Sequence, residues 1–377
     1  MGISVDAAFP GGNIIVTAVD GDRIFVRQDP RDTSGHWFYW CLRVRGAAGR
    51  TLEFIFPEGN VIGVRGPAVS LDGGVTWAWL GNLRDNPVSF SYRFPPECGE
   101  ARFSFGMPYT ESNLESFLAR HAGDPHIEAG TLATSRKGRP VELIRLGRLD
   151  GGCRHRILLV VRHHCCEMMV NYSLEGIMEA ALAGDEGGRW FRENAEFLVV
   201  PFMDKDGVED GDQGKNRMPH DHELDYGGKS LYPETAALRE LVPGWADGRL
   251  RFALDMHCPW IRGEHNEDVY FVGVEDAGNT ERLARFSKLL AASCRGPIPY
   301  SALSNLPFGV AWNTAENSKG MVGFDGWLGP LIAPGFVGCI EIPYANAGGA
   351  EVNAATARSL GADLASAIRA YVEDKEE

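Results

Sequence analysis

Four short apolar runs constrain the fold more than any other feature: "RILLVVR" (156–162), "AEFLVVPF" (195–202), "LRFALDMH" (250–257) and "FVGCIEIPY" (336–344). Amphipathic stretches follow them: "MVNYSLEGIMEAALA" (169–183), "PETAALRELV" (233–242), "NTERLARFSKLLAASC" (279–294) and a last helix near 350–373. A strand that is apolar on both faces must be covered on both faces. The alternation therefore predicts an α/β fold, a mixed and mainly parallel sheet flanked by helices. "ESNLESFLARHA" (111–122) adds a helix ahead of it, and Pro233 suits a first helical turn. Residues 203–231 form a long loop dense in Asp, Gly and His, and a loop that long in a compact domain is usually functional.

The front of the chain reads differently. "HWFYWCLRV" (36–44), "TLEFIFPEG" (51–59), "VSFSYRFPP" (88–96) and "ARFSFGMPY" (101–109) are short, aromatic and β-branched, with turn residues between them. They predict an all-β sandwich over 1–108 ahead of an α/β hydrolase domain over 109–377. The 377 residues suffice for both. A net charge of −14 disfavours nucleic acid as a partner, and no apolar run approaches the roughly 18 residues needed to span a bilayer. The start, "MGISVDAAFPGGN", carries no secretory signal, and the eight cysteines include no CxxC pair. A cytoplasmic protein with reduced thiols is the expectation.

Chemistry gathers where the apolar runs end, which is where α/β sheets place their sites. His163, His164 and Glu167 follow the first run, an Asp-rich loop with Arg217 follows the second, His257 ends the third, and Glu341 lies inside the fourth. His164 and Glu167 are three apart, on one face of a first helical turn. With a distant histidine they would give a catalytic zinc its three ligands and leave one position open. Glu341, in the apolar context "CIEIP", is the candidate general base. A second HxxE pair, His220 and Glu223, lies inside the loop and is less well placed. His163 reads as a strand-end residue bonded to backbone, Cys165, Cys166 and Cys258 as buried thiols, and Asp204, Asp206, Asp210 and Asp212 as a solvated acidic turn.

Taken in order, "HCCE" (164–167), "PFMDKDGVEDG" (201–211), "LDMHC" (254–258) and "CIEIPY" (339–344) resemble the four signatures of the zinc carboxypeptidases. "NYSLEGIMEAAL" and the aromatic front segments resemble the cytosolic carboxypeptidase branch. The resemblance implies one Zn2+ on His164, Glu167 and His257, Glu341 as base, Arg217 as the cation for an oxyanion, and Asp221 orienting His164. It also exposes a departure. Where the family has Asp-x-Asn-Arg, gripping a substrate carboxylate, this chain has Asp221, His222, Glu223 and Leu224. A carboxylate in that place repels another. The expected activity is hydrolysis of a peptide or small amide or ester that need not end in a free carboxylate, with Glu223 facing an amino or hydroxyl group. Carboxypeptidase activity proper would need another arginine, such as Arg262, as the clamp. The rival readings are a deacylase of non-peptide substrates and a protein that keeps zinc but only binds.

Overall fold

The structure, a computed structural model, describes residues 2–81, 88–318 and 320–374. Its centre is a seven-stranded sheet in the order Ile127–Thr134, Pro140–Gly147, Ala195–Val200, His155–Val161, Leu250–His257, Phe336–Glu341, Tyr270–Val272. The four strands built from the apolar runs are parallel neighbours, and the pairings outside them are antiparallel.

Both faces of these strands are buried, which is why the runs lack alternation. Ile157, Leu159, Val199, Leu254 and Ile340 point into one apolar cluster with helices Met169–Leu182, Ala277–Ser293 and Ala354–Glu373. Leu158, Val160, Leu198, Ala253 and Val337 point into another, under helices Pro233–Ala246 and Phe324–Ile332. Helices Met169–Leu182 and Ala354–Glu373 touch backbone to backbone. A Cβ on Gly176 would lie 2.0 Å from the Arg358 carbonyl oxygen, and one on Gly361 2.0 Å from that of Ser173.

The front of the chain forms two sheets. One has five strands, in the order Ser4–Asp6, Cys41–Arg45, Glu100–Ser104, Ala68–Ser70, Ala78–Trp79; the other has four, Ile15–Asp20, Arg23–Arg27, Thr51–Ile55, Ser89–Arg93. Their rings meet: Phe54 stacks on Phe90 at 4.9 Å within the second sheet and reaches Phe103 of the first at 5.4 Å. The predicted strand over 36–44 begins only at Cys41, and the rings of Trp37 and Phe38 ahead of it pack on Trp260 of the α/β part, each at 4.9 Å. Phe38 meets Phe105 at 5.3 Å and Tyr344 at 5.6 Å, so one continuous core runs from the front sheets into the α/β part. The long loop is not featureless, since Lys205–Asp210 is helical and His222–Leu224 a single 3-10 turn.

Candidate metal centre

The sheet register sets the site. His257 and Glu341 are paired residues at the carboxyl ends of adjacent parallel strands. His163 and His164 follow the neighbouring His155–Val161 strand through Arg162, whose φ of 65° turns the chain sharply. The Arg162 guanidinium fixes that turn, donating to the carbonyl of Cys165 at 2.9 Å, that of Tyr109 at 3.0 Å, and Asn171 Oδ1 at 2.8 Å. Helix Met169–Leu182 starts beyond Glu167, so His164 and Glu167 share a tight turn and not the expected helical turn.

Three ligand-type side chains converge there. His164 Nδ1 lies 3.1 Å from His257 Nδ1 and 3.1 Å from Glu167 Oε1, and His257 Nδ1 lies 2.9 Å from Glu167 Oε2. All three residues are buried, and Glu167 Oε1 has no hydrogen-bond partner. A buried carboxylate needs a compensating cation, and the Lys215 ammonium, 3.3 Å from the same oxygen, is one. Two imidazoles and a carboxylate with their donor atoms facing one point fit a divalent ion such as zinc.

Glu341 is buried beside this cluster with Oε2 unpartnered. Burial, reinforced by the Glu167 charge, pushes its carboxyl up to about 7. Asp221 Oδ2 stands 3.7 Å from His164 Nε2. Burial works to raise the Asp221 carboxyl, but His164 holds it well below the usual range. The sequence reading passed over Lys215, whose Nζ lies 3.3 Å from Glu167 Oε1 and 5.7 Å over the Trp37 ring. Burial disfavours its charge, yet Glu167, Glu341 and Asp221 keep it a cation.

Arg217 is occupied elsewhere. Its Nε binds Asp32 at 2.9 Å, Nη1 binds Asp204 at 2.6 Å and Nη2 binds Asp212 at 3.2 Å. The cation expected to face an oxyanion is therefore held on all three nitrogens by carboxylates. The Asp-rich stretch is likewise no solvated turn: Asp206 and Asp210 pair with Arg139 at 2.8 and 2.6 Å. Asp32 also accepts from the backbone N–H groups of Gln213 and Gly214 at 2.9 and 2.8 Å, so the front of the chain pins the loop that carries Lys215 and Arg217. Asp32 has no motif around it that could have marked it.

The remaining candidates have definite places. His163 bonds side chains and not the expected backbone, with Nδ1 2.9 Å from Asp255 Oδ1 and Nε2 2.7 Å from the Tyr226 hydroxyl. His220 pairs with Asp225 and His222 with Glu234, both at 2.7 Å. Glu223 stands 3.4 Å from His163 and 3.6 Å from His257, inside the site. Arg262 is half-buried and donates to Asn60, in the loop that follows strand Thr51–Ile55. Burial raises the Cys165 thiol well above its ordinary value and Cys166 to about 12, which removes them as nucleophiles.

No protein-family profile matches the chain. It is 29% identical over 218 residues to an uncharacterized protein of Zymomonas mobilis, covering 55% of each chain. It is 19% identical over 229 residues to cytosolic carboxypeptidase 3 of Bos taurus, covering 57% of this chain and 22% of that protein. The chain thus spans about half the length, or less, of the curated relatives it matches. Among solved structures, a metallo-carboxypeptidase from Burkholderia cenocepacia superposes with a TM-score of 0.80 at 20% identity, covering 99% of both chains. One from Pseudomonas aeruginosa, in complex with (2-guanidinoethylmercapto)succinic acid, gives 0.75 at 22% identity, covering 98% of this chain and 99% of that one. The fold is that of these two bacterial metallo-carboxypeptidases over 98–99% of the chain.

Proposed function

We propose that this chain, built on the metallo-carboxypeptidase fold, is a metal-dependent hydrolase of peptide or amide bonds. The carrying observation is the convergence of His164, Glu167 and His257 within 3.1 Å of one another, beside a buried, unpartnered Glu341. A divalent ion bound there supplies Lewis acidity toward a carbonyl and acidifies water. Glu341, buried beside the cluster, takes the proton of the attacking water and returns it to the leaving amine. Asp221 orients His164 through the other ring nitrogen. We assign the positive charge near the developing oxyanion to Lys215, the cation beside Glu167, and not to Arg217.

Substrate recognition departs from that of the resembled family. Glu223 and Leu224 put a carboxylate and an alkyl chain where the Asn-Arg pair is expected, so those two side chains by themselves do not recruit a substrate carboxylate. Peptides, small amides and esters are all candidate substrates on this reading. The test is elemental analysis of wild type and His257→Ala, followed by assay of amides and esters with and without a free carboxylate. Metal lost in the variant, and hydrolysis that is abolished by chelation and restored by zinc, is the expected result. A folded wild type that takes up no zinc overturns the proposal.

A further inference from the structure

A second set of ligand-type side chains lies on the other side of the His257 ring, and the chemistry above leaves it unused. His163, Glu223, Asp255 and His257 bring one donor atom each within 4.8 Å of the others. His163 and Asp255 are buried, with side-chain exposures of 0% and 2%, and Glu223 retains 24%. Hydrogen bonding inside the set is incomplete. Asp255 pairs with both histidines, Oδ1 with His163 Nδ1 and Oδ2 with His257 Nε2, each at 2.9 Å, whereas Glu223 Oε2 is a buried atom without a hydrogen-bond partner. Glu223 Oε2 faces both His163 Nδ1, at 3.4 Å, and His257 Nε2, at 3.6 Å. The other nitrogen of His163 is engaged by the Tyr226 hydroxyl, the outer partner that a ligating histidine ordinarily has. A buried carboxylate oxygen left unpaired between two imidazoles is what a missing cation leaves behind.

We propose that His163, Asp255 and Glu223, with His257 Nε2 as the fourth donor, hold a second divalent cation, zinc by donor type. The His257 ring then lies between two ions as an imidazolate, with Nδ1 on the first, Nε2 on the second and its ring proton released to solvent when the second ion binds. Glu223, the residue that departs from the family pattern, is one of the three ligands that this ion does not share with the first. It is also the most exposed of the four, so the ion's open coordination position lies on its side, toward the substrate space. A cation there turns a repulsive corner into an acceptor for an oxygen ligand, such as a substrate carboxylate. This inference rests on the proposed role of His257 at the first ion, and the experiment separates the two.

The apoprotein is loaded with zinc alone, freed of excess, and analysed for zinc per chain as wild type, Glu223→Gln and His163→Gln, with circular dichroism to establish folding. Competition with a chromophoric chelator then resolves the binding steps. The expected result is two zinc ions and two steps in wild type, and one of each in folded Glu223→Gln. One zinc in wild type overturns the second site and leaves the first standing, whereas none overturns both. Two in both variants overturns the ligand set. The Glu223→Gln readout stands even if His163→Gln fails to fold, because Glu223 is the partly exposed member.

Discussion

Glu341 and Lys215 share the neighbourhood of Glu167, yet their substitution should separate binding from chemistry. Glu341→Gln keeps the shape and removes the proton acceptor, so turnover should fall by about 10²-fold or more while zinc content stays at the wild-type level. Turnover near wild type would end the assignment. Lys215→Met should lower kcat by roughly 10²-fold with little change in KM, the pattern of an interaction made mainly in the transition state. Arg217 belongs to a different class of effect. Arg217→Met leaves Asp32, Asp204 and Asp212 facing one another without their common cation, and a broken buried pair costs about 3–5 kcal/mol. Denaturant unfolding of that variant should show the loss whatever its activity. The sequence made His164, Glu167, His257 and Glu341 legible because each stands at a fixed offset from an apolar run. It gave no means of choosing between Lys215 and Arg217, two residues apart in one loop, because that choice depends on Asp32, some 180 residues earlier in the chain.

Elements were legible in proportion to their burial on both sides. The four central strands and helices Met169–Leu182, Ala277–Ser293 and Ala354–Glu373 were readable because apolar runs and helical spacing survive wherever a core must be filled. The edge strand Ile127–Thr134 was not, since its burial shows no strict alternation and most of it is exposed. Helix Phe324–Ile332 carries Gly326, Gly329 and Pro330, the residues that ordinarily argue against a helix, and only its packing under the sheet holds it. The helix pair at Gly176 and Gly361 yields a prediction at this scale. Gly176→Ala forces a methyl onto the Arg358 carbonyl, and the resulting overpacking should cost at least about 1–3 kcal/mol although alanine favours helices. Thermal unfolding measures it, and an unchanged or raised Tm would show that the helices can move apart.

At the scale of the whole molecule, the front sheets and the α/β part behave as one body. Phe38, Phe105 and Tyr344 join their cores, and Asn13 donates to the Gly211 carbonyl at 2.7 Å while Gln213 donates to that of Tyr39 at 2.9 Å. A fragment comprising 109–377 would expose the apolar surface that these rings cover and release the loop 211–217. It should be aggregation-prone and fail to bind zinc, as judged by size-exclusion chromatography and metal analysis. A soluble, zinc-binding fragment would establish the division at residue 108 as a real seam. Among the described residues, no helix is long and apolar enough to cross a membrane.

The Asp32 clasp also has a consequence in time. A ribosome releases the chain from its amino end, so Asp32 and Tyr39 emerge well before the loop residues Gln213, Gly214 and Arg217 that they secure. The early segment acts as a waiting mould, and the loop that carries Lys215 can set only once it has itself been made and folded back onto the beginning of the chain.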